Sequence, residues 1–287
     1  MNPTIALLTD FGTEDIYVGV MKGVMREICP QAMFIDITHQ INPQNVRQAA
    51  FALKNALPYF PPDTVFLVVV DPGVGTRRRP IAAKFGNYAF VAPDNGVLSY
   101  VFSAEDDVQF AELDRSEYWI ANVSQTFHGR DIFAPVAAHL ASGQPLDAIG
   151  TPLQQVFELP KPMLDIGKRS IHGEVVHIDR FGNIITSIGR LRWSGGGRVT
   201  LMPAFGDINR TTSIYSEDAQ LKLSGEIIST IKATYSDAMR GDLLMVVGSS
   251  GYLEIAMNQG NAAKRLDVAI GDHIDVQLGD SHAAIHD

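Results

Sequence analysis

Short apolar runs alternate with longer amphipathic stretches through the first half of the chain. Ile5-Ala6-Leu7-Leu8 reads as a strand, Tyr17 to Ile28 as a helix and Met33-Phe34-Ile35-Asp36-Ile37 as a second strand. A further helix fits Asn45 to Leu57, because Val46, Ala49, Ala50, Leu53 and Leu57 recur at helical spacing. The run Val65 to Val70 is apolar throughout, as in a strand buried on both faces, and it ends at Asp71. Ile132 to Leu140 reads as an apolar helix. This β-α-β succession predicts an α/β domain: a mostly parallel sheet covered by helices on both faces.

The texture changes after Leu159-Pro160-Lys161-Pro162-Met163-Leu164, where two prolines interrupt the pattern. Glu174 to Asp179, Ile184 to Ile188, Arg198 to Met202, Leu243 to Val247 and His273 to Leu278 read as short strands separated by glycine-bearing turns. A smaller, antiparallel, β-barrel-like C-terminal domain is the expectation. The division is an α/β domain over 1–160, a linker over 161–170 and a β-rich domain over 171–287, with a frayed tail from Gly279.

Composition narrows the function. A chain of 287 residues with 46% hydrophobic content has ample material for packed cores. Its net charge of -9 argues against a polyanion-binding surface, which requires clustered Lys and Arg. The single cysteine, Cys29, leaves no intramolecular disulfide and no multi-cysteine zinc site, which fits a reducing compartment. With no signal-peptide pattern and no window near the roughly 20 apolar residues of a membrane helix, the expected location is the cytoplasm. The histidines show no spacing such as His-Glu-x-x-His, and no glycine-rich phosphate loop of either common type is present. Neither a metal nor a nucleotide cofactor is expected, and neither a nucleic-acid nor a membrane partner.

Chemistry concentrates where strands end. Asp71-Pro72-Gly73-Val74-Gly75-Thr76 presents a carboxylate at the carboxyl end of a buried strand, where open α/β sheets place their ligands. Arg78 follows within reach, so the pair could position a small nucleophile or form a plain salt bridge across a turn. Thr9-Asp10-Phe11-Gly12 places a second carboxylate at a strand end, suited either to a ribose diol or to capping the next helix. Asp-Phe-Gly also occurs in protein kinases, but the glycine-rich loop and strand lysine are missing. Phe127-His128-Gly129-Arg130-Asp131 brings into a glycine-bearing turn an imidazole able to act as general base, to orient a water or to serve structure alone, while Arg130 and Asp131 could simply cap the helix or pair. In the second half, Asp179, Phe181 and Asn183 alternate and would share one face if the strand is regular; the other reading is a strand that ends in an Asp/Gly-rich turn. Gly248 to Ala256, with Ser249, Ser250 and Glu254, offers hydroxyls and a carboxylate or a simple loop before a strand.

In order and spacing these segments resemble the S-adenosyl-L-methionine hydroxide adenosyltransferase (SAM hydrolase) family, related to the SAM-dependent fluorinase and chlorinase. Tyr17-Val18-Gly19, Met21-Lys22-Gly23, Pro93 to Gly96 and Asn261-Ala262-Ala263 extend the likeness over nearly the whole chain. The resemblance implies attack of water or hydroxide on ribose C5′, giving adenosine and L-methionine. It assigns Asp71, Arg78 and His128 to the water. Asp10 goes to the ribose hydroxyls, with Phe127 near the sugar. Asp179, Ser249 and Ser250 go to the methionine moiety, and Phe181, Asn183 and Met257 to adenine; Glu254 is an added candidate. The halogenases carry a tyrosine at the position of Asp71 and a serine at that of Gly129, and the fluorinase an arginine at that of Ser250. The family also implies homotrimers with sites at subunit interfaces. Two alternatives stand beside hydrolysis: a non-catalytic adenosine or SAM sensor and, disfavoured by Asp71 and Gly129, a halogenase.

Overall fold

The computed structural model describes residues 2–102, 107–205 and 210–279, so the tail beyond Gly279 lies outside the described residues. The chain divides into two compact units between Leu159 and Pro160.

The first unit runs β1 (Thr4–Thr9), α1 (Tyr17–Ile28), β2 (Met33–Thr38), α2 (Val46–Ala56), β3 (Val65–Val69), β4 (Pro80–Phe85), β5 (Tyr88–Pro93), α3 (Ser99–Phe102), β6 (Gln109–Glu112), α4 (Ala134–Ala141), α5 (Leu146–Ile149) and β7 (Thr151–Leu153). Its sheet has the order β2-β1-β3-β5-β4-β6-β7. β1 is parallel to β2 and β3, and β3 to β5, whereas β4 runs against both β5 and β6, and β7 against β6. Thus β2, β1, β3, β5 and β6 point one way, and the α/β expectation of a mostly parallel sheet holds.

Residue alternation along the central strands explains their unbroken apolar character. Ile5, Leu7, Leu67 and Val69 pack with Met21 and Met25 of α1 and Val136 and Ala137 of α4. Ala6, Leu8, Phe66 and Val68 pack on the other face with Ala49 and Leu53 of α2 and with Val97 and Val101. Each large apolar side chain buried in these layers stabilises by about 1.5–3 kcal/mol. Helix α1 buries Val18, Met21 and Met25 at helical spacing and ends at Cys29, which is 2% exposed. Helix α2 begins where the Asn45 side chain accepts the Gln48 N–H at 2.9 Å.

The second unit is β-rich: β8 (Leu164–Ile166), β9 (Ser170–Ile178), β10 (Ile184–Gly189), β11 (Leu191–Gly195), β12 (Arg198–Leu201), β13 (Thr212–Tyr215), β14 (Ala219–Leu223), β15 (Glu226–Ser229), β16 (Ile231–Lys232), β17 (Leu243–Val247), β18 (Tyr252–Met257), α6 (Ala262–Leu266) and β19 (His273–Leu278). Its main sheet runs β15-β14-β19-β9-β10-β18-β17-β16, with β8 on β9, and β11-β12-β13 form a separate small sheet. Only Thr230 separates β15 from β16, so the last strands at the two ends of the main sheet are chain neighbours and the sheet curls nearly closed. Inside it Ile171, Val175, Ile184, Leu221, Met245, Leu253, Ile255 and Val276 form one core. Residues 161–170, expected as a linker, instead contain β8: Leu164, Asp165 and Ile166 pair with Gly173, His172 and Ile171, and Ile166 is buried. The adjacent prolines mask this three-residue alternation in the sequence.

Candidate active site

Register puts two acids at one edge of the first unit's sheet. Thr9 pairs with Val69 across β1 and β3, so Asp10 and Asp71 leave neighbouring parallel strands at their carboxyl ends. The carbonyl of Val70 accepts the Asn95 side-chain amide at 2.8 Å, which pins the chain immediately before Asp71. Beyond it the turn closes through Thr76, whose N–H and hydroxyl both donate to the Gly73 carbonyl. Gly75 has φ +76°, and a Cβ there would stand 2.7 Å from the Gln125 carbonyl oxygen. Glycine is therefore required for this loop to lie against the one leading to His128.

Arg78 joins the expected partners directly. Its Nε donates to both Asp71 carboxylate oxygens at 3.0 Å, and its Nη2 donates to Oδ2 at 2.5 Å. The same Nη2 lies 2.8 Å from His128 Nδ1. Side-chain exposures of 9% for Arg78 and 6% for Asp71 make this a shielded pair, and the guanidinium lies 5.1 Å from the Phe133 ring centroid. Arginine can only donate, so Nδ1 of His128 accepts and the ring proton sits on Nε2. Burial, reinforced by the Arg78 charge, lowers the His128 pKa below its ordinary value, against smaller opposing effects of Asp71, Asp131 and the Ser124 backbone. This imidazole is therefore neutral near pH 7 and offers an N–H, the geometry of a group that orients a water, one of the roles the sequence left open for it.

A second network holds the His128 loop. Asp131 is fully buried and accepts the Ser124 N–H at 2.7 Å and Arg130 Nε at 2.5 Å. Burial alone would raise its carboxyl, but the Arg130 and Ser124 hydrogen bonds take it below the ordinary carboxylate value. Between His128 and α4 the backbone makes a π-type turn in which Ala134 N–H reaches the Gly129 carbonyl. Pro135 has no N–H to give the Asp131 carbonyl, which instead accepts from Ile120 N at 3.0 Å. Phe127 packs edge-on against Phe11 and Tyr17, with centroids 5.8 and 5.1 Å away. A Cβ on Gly129 would meet the Phe127 ring at 3.1 Å.

Asp10 does not cap a helix, since α1 starts at Tyr17 after Ile16, with no side-chain cap. Its Oδ2 accepts the N–H of Gln44, a residue held at φ +66°.

In the second unit the structure decides between two readings of one segment, in favour of the turn. Asp179, Phe181 and Asn183 do not alternate along a strand, because β9 ends at Ile178 and β10 starts at Ile184. Asp179 Oδ1 accepts the N–H groups of Phe181 and Asn183, both at 2.8 Å, and Oδ2 accepts the Asn183 amide at 2.9 Å. Gly182, at φ +86°, completes the turn; a Cβ there would overlap the Asn261 side chain. This tight loop brings the acid and amide together and leaves Phe181 76% exposed. Ser249 and Ser250 occupy the turn joining β17 to β18, closed by Gly248 N–H to Tyr252 carbonyl at 2.9 Å. Glu254, 7% exposed, lies against Gly248 and accepts the Tyr235 hydroxyl at 2.9 Å. Burial raises its carboxyl above the ordinary value, the Tyr235 hydrogen bond opposing and the Asp179 charge adding. Met257 ends β18, its side chain filling the space beside Gly260.

Asn95, Asp131 and Tyr235 support these groups in ways the sequence did not announce. Asp131 had a local sign in its place beside Arg130, and Asn95 in the turn segment Pro93 to Gly96; Tyr235 had none. Among the described residues no three His, Cys, Asp or Glu side chains converge as metal ligands.

Comparison with known proteins adds a decisive observation. Residues 5–150 match the model of the SAM hydroxide adenosyltransferase N-terminal domain, and residues 173–275 that of its C-terminal domain. The chain belongs to the SAM hydroxide adenosyltransferase family. Within it, the chain is 36% identical over 280 residues to the (R)-S-adenosyl-L-methionine hydrolase of Salinispora tropica, covering 96% of this chain and 98% of the relative. It is equally 36% identical to the hydrolase of the same name from Thermus thermophilus, over 93% of this chain and 96% of that one. A crystal structure of a conserved protein from Thermotoga maritima is similar at a TM-score of 0.81 and 39% identity, covering 95% of this chain and 99% of that one.

Proposed function

We propose that the protein hydrolyses S-adenosyl-L-methionine to adenosine and L-methionine. Water or hydroxide forms a bond to ribose C5′, the C5′–S bond breaks with its electron pair passing to sulfur, and the water proton leaves to solvent. The observation that carries this reading is the direct hydrogen bonding of Asp71, Arg78 and His128 at the end of β3. Asp71 accepts from the water, Arg78 fixes the carboxylate, and His128 directs its Nε2–H at the water oxygen. A sulfonium is already a good leaving group, so alignment and exclusion of bulk water dominate and no cofactor is needed. Hydroxide and sulfonium lose charge together at the transition state, which a dry pocket favours.

Asp10 is assigned the ribose hydroxyls, with Phe127 beside the sugar. Asp179, Ser249 and Ser250 take the methionyl group, Phe181, Asn183 and Met257 take adenine, and Glu254 supports the Ser249 turn. The relatives' name specifies the (R) sulfonium epimer, and the same preference is assigned here. The proposed setting is a cytoplasmic homotrimer with sites at subunit interfaces; among the described residues no helix is long and apolar enough to cross a membrane. Light scattering at about three times 31.3 kDa tests the assembly.

Turnover in isotopically labelled water tests the reaction. Adenosine should carry the label at its 5′ oxygen, and the (R) epimer should be consumed faster. Intact substrate bound without any product after long incubation would overturn hydrolysis in favour of a sensor, and halogenated nucleoside formed in excess chloride or fluoride would overturn it in favour of a halogenase.

A further inference from the structure

Lys22, Asp36, His39 and Thr9 form one connected run behind Asp10 to which the proposed reaction gives no task. Lys22 Nζ donates to Asp36 Oδ2 at 2.7 Å, and Asp36 Oδ1 lies 3.1 Å from His39 Nε2. On the other side of the ring, His39 Nδ1 is 2.9 Å from the Thr9 hydroxyl, which also accepts the Phe11 N–H at 3.3 Å. The His39 carbonyl accepts the Gly12 N–H at 2.8 Å. His39 therefore holds Thr9 and, directly or through it, Phe11 and Gly12, the residues on both sides of Asp10. Thr9 is fully buried and His39 is 5% exposed.

A regular strand would forbid this arrangement, because residues three apart point to opposite faces. Leu7 pairs with Asp36 but Leu8 with Thr38, so Ile37 is an extra residue in β2. That bulge changes the alternation and lets Asp36 and His39 meet. Nε2 stands 3.1 Å from the carboxylate as a close ionic contact without hydrogen-bond geometry, and the proton shared by Nδ1 and the Thr9 hydroxyl follows the ring's tautomer. The run ends on the backbone next to Asp10, at the N–H groups of Phe11 and Gly12.

We propose that His39 is a positioning residue that fixes Asp10 at the angle needed to receive two vicinal sugar hydroxyls. The proposal rests on the assignment of Asp10 to the ribose. Asp36, held by Lys22, stands against the ring, the ring holds Thr9, and Thr9 sets the start of the loop that carries the carboxylate. A loss in this run thus weakens the grip on the diol, leaving contacts to the base and to the attacking water.

Calorimetry on the full chain tests it, comparing adenosine with 2′,3′-dideoxyadenosine for the native protein and for Thr9→Val, Thr9→Ser and His39→Leu. Thr9→Val keeps shape in a buried strand and removes the hydroxyl; Thr9→Ser keeps the hydroxyl. Native protein should bind adenosine more tightly than the dideoxy compound. Thr9→Val and His39→Leu should each weaken adenosine about tenfold, the size of one or two buried hydrogen bonds, and leave the dideoxy affinity unchanged. Thr9→Ser should restore the native value. Equal weakening of both ligands, or an unchanged adenosine affinity in Thr9→Val, overturns the proposal and leaves hydrolysis standing. Native protein that does not distinguish the two ligands removes the Asp10 assignment, and the role of His39 falls with it.

Discussion

Arg78 carries two tasks on one guanidinium, since Nη2 serves both Asp71 and His128. Replacing Asp71 with Ala should lower turnover by about a hundredfold if it orients the nucleophile. The double replacement with Arg78→Ala should cost little more, because the two act as one unit; additive losses in steady-state rates would contradict a joint role. His128 gives a pH prediction. Burial, with the Arg78 charge behind it, lowers its pKa, so the neutral ring persists as pH falls past the ordinary value of 6.5. The acid limb of the pH–rate profile should therefore lie below 6.5, and one centred above it would exclude the neutral imidazole from the active form. Glu254 predicts a stability effect of opposite dependence. Its folded pKa is raised by burial, so its contribution to stability is complete below the ordinary value of 4.5 and is lost as pH rises through the folded value. Glu254→Gln should raise the melting temperature at neutral pH, with a gain that shrinks as pH approaches 4.5, checked by thermal melts across that range.

At the scale of elements, the turn after β3 and the loop before α4 are built to fit each other. Gly75→Ala forces a Cβ towards the Gln125 carbonyl at an unfavourable φ, so it should destabilise by about 1–2 kcal/mol. It should also depress turnover more than substrate affinity, as separate melting and kinetic measurements would show. The long elements were legible because their signals are redundant: β1, α1, α2 and β3 have several apolar positions each at the right period. The hairpin β4–β5 and strand β6 were not, since antiparallel strands of four to six residues joined by tight turns leave little periodicity to read. β8 hid beside two prolines. Asp71, Arg78 and His128 were visible as residue types at strand ends, but their connection through one arginine nitrogen is a long-range fact. The alternation of Asp179, Phe181 and Asn183 and the turn signal of Asp179 and Gly182 competed in the sequence, and the turn wins because Gly182 bends the chain.

At the scale of the whole molecule, four buried apolar clusters of the described residues each belong to a single unit. Each unit has its own core, so a fragment of residues 1–159 should fold cooperatively by itself, keeping its far-ultraviolet circular dichroism and a single melting transition. A non-cooperative fragment would contradict self-sufficiency of that core. The single cysteine belongs to this same unit, closing α1 beneath the layer that contains Met21 and Met25. At 2% exposure its sulfur is shut away from solvent reagents while the helix is docked. The molecule thus carries its own clock: a thiol-specific dye can react only when α1 lifts from the sheet. The labelling rate reports how often that helix, which also bears Lys22, leaves its seat, with no engineered probe and no competing thiol.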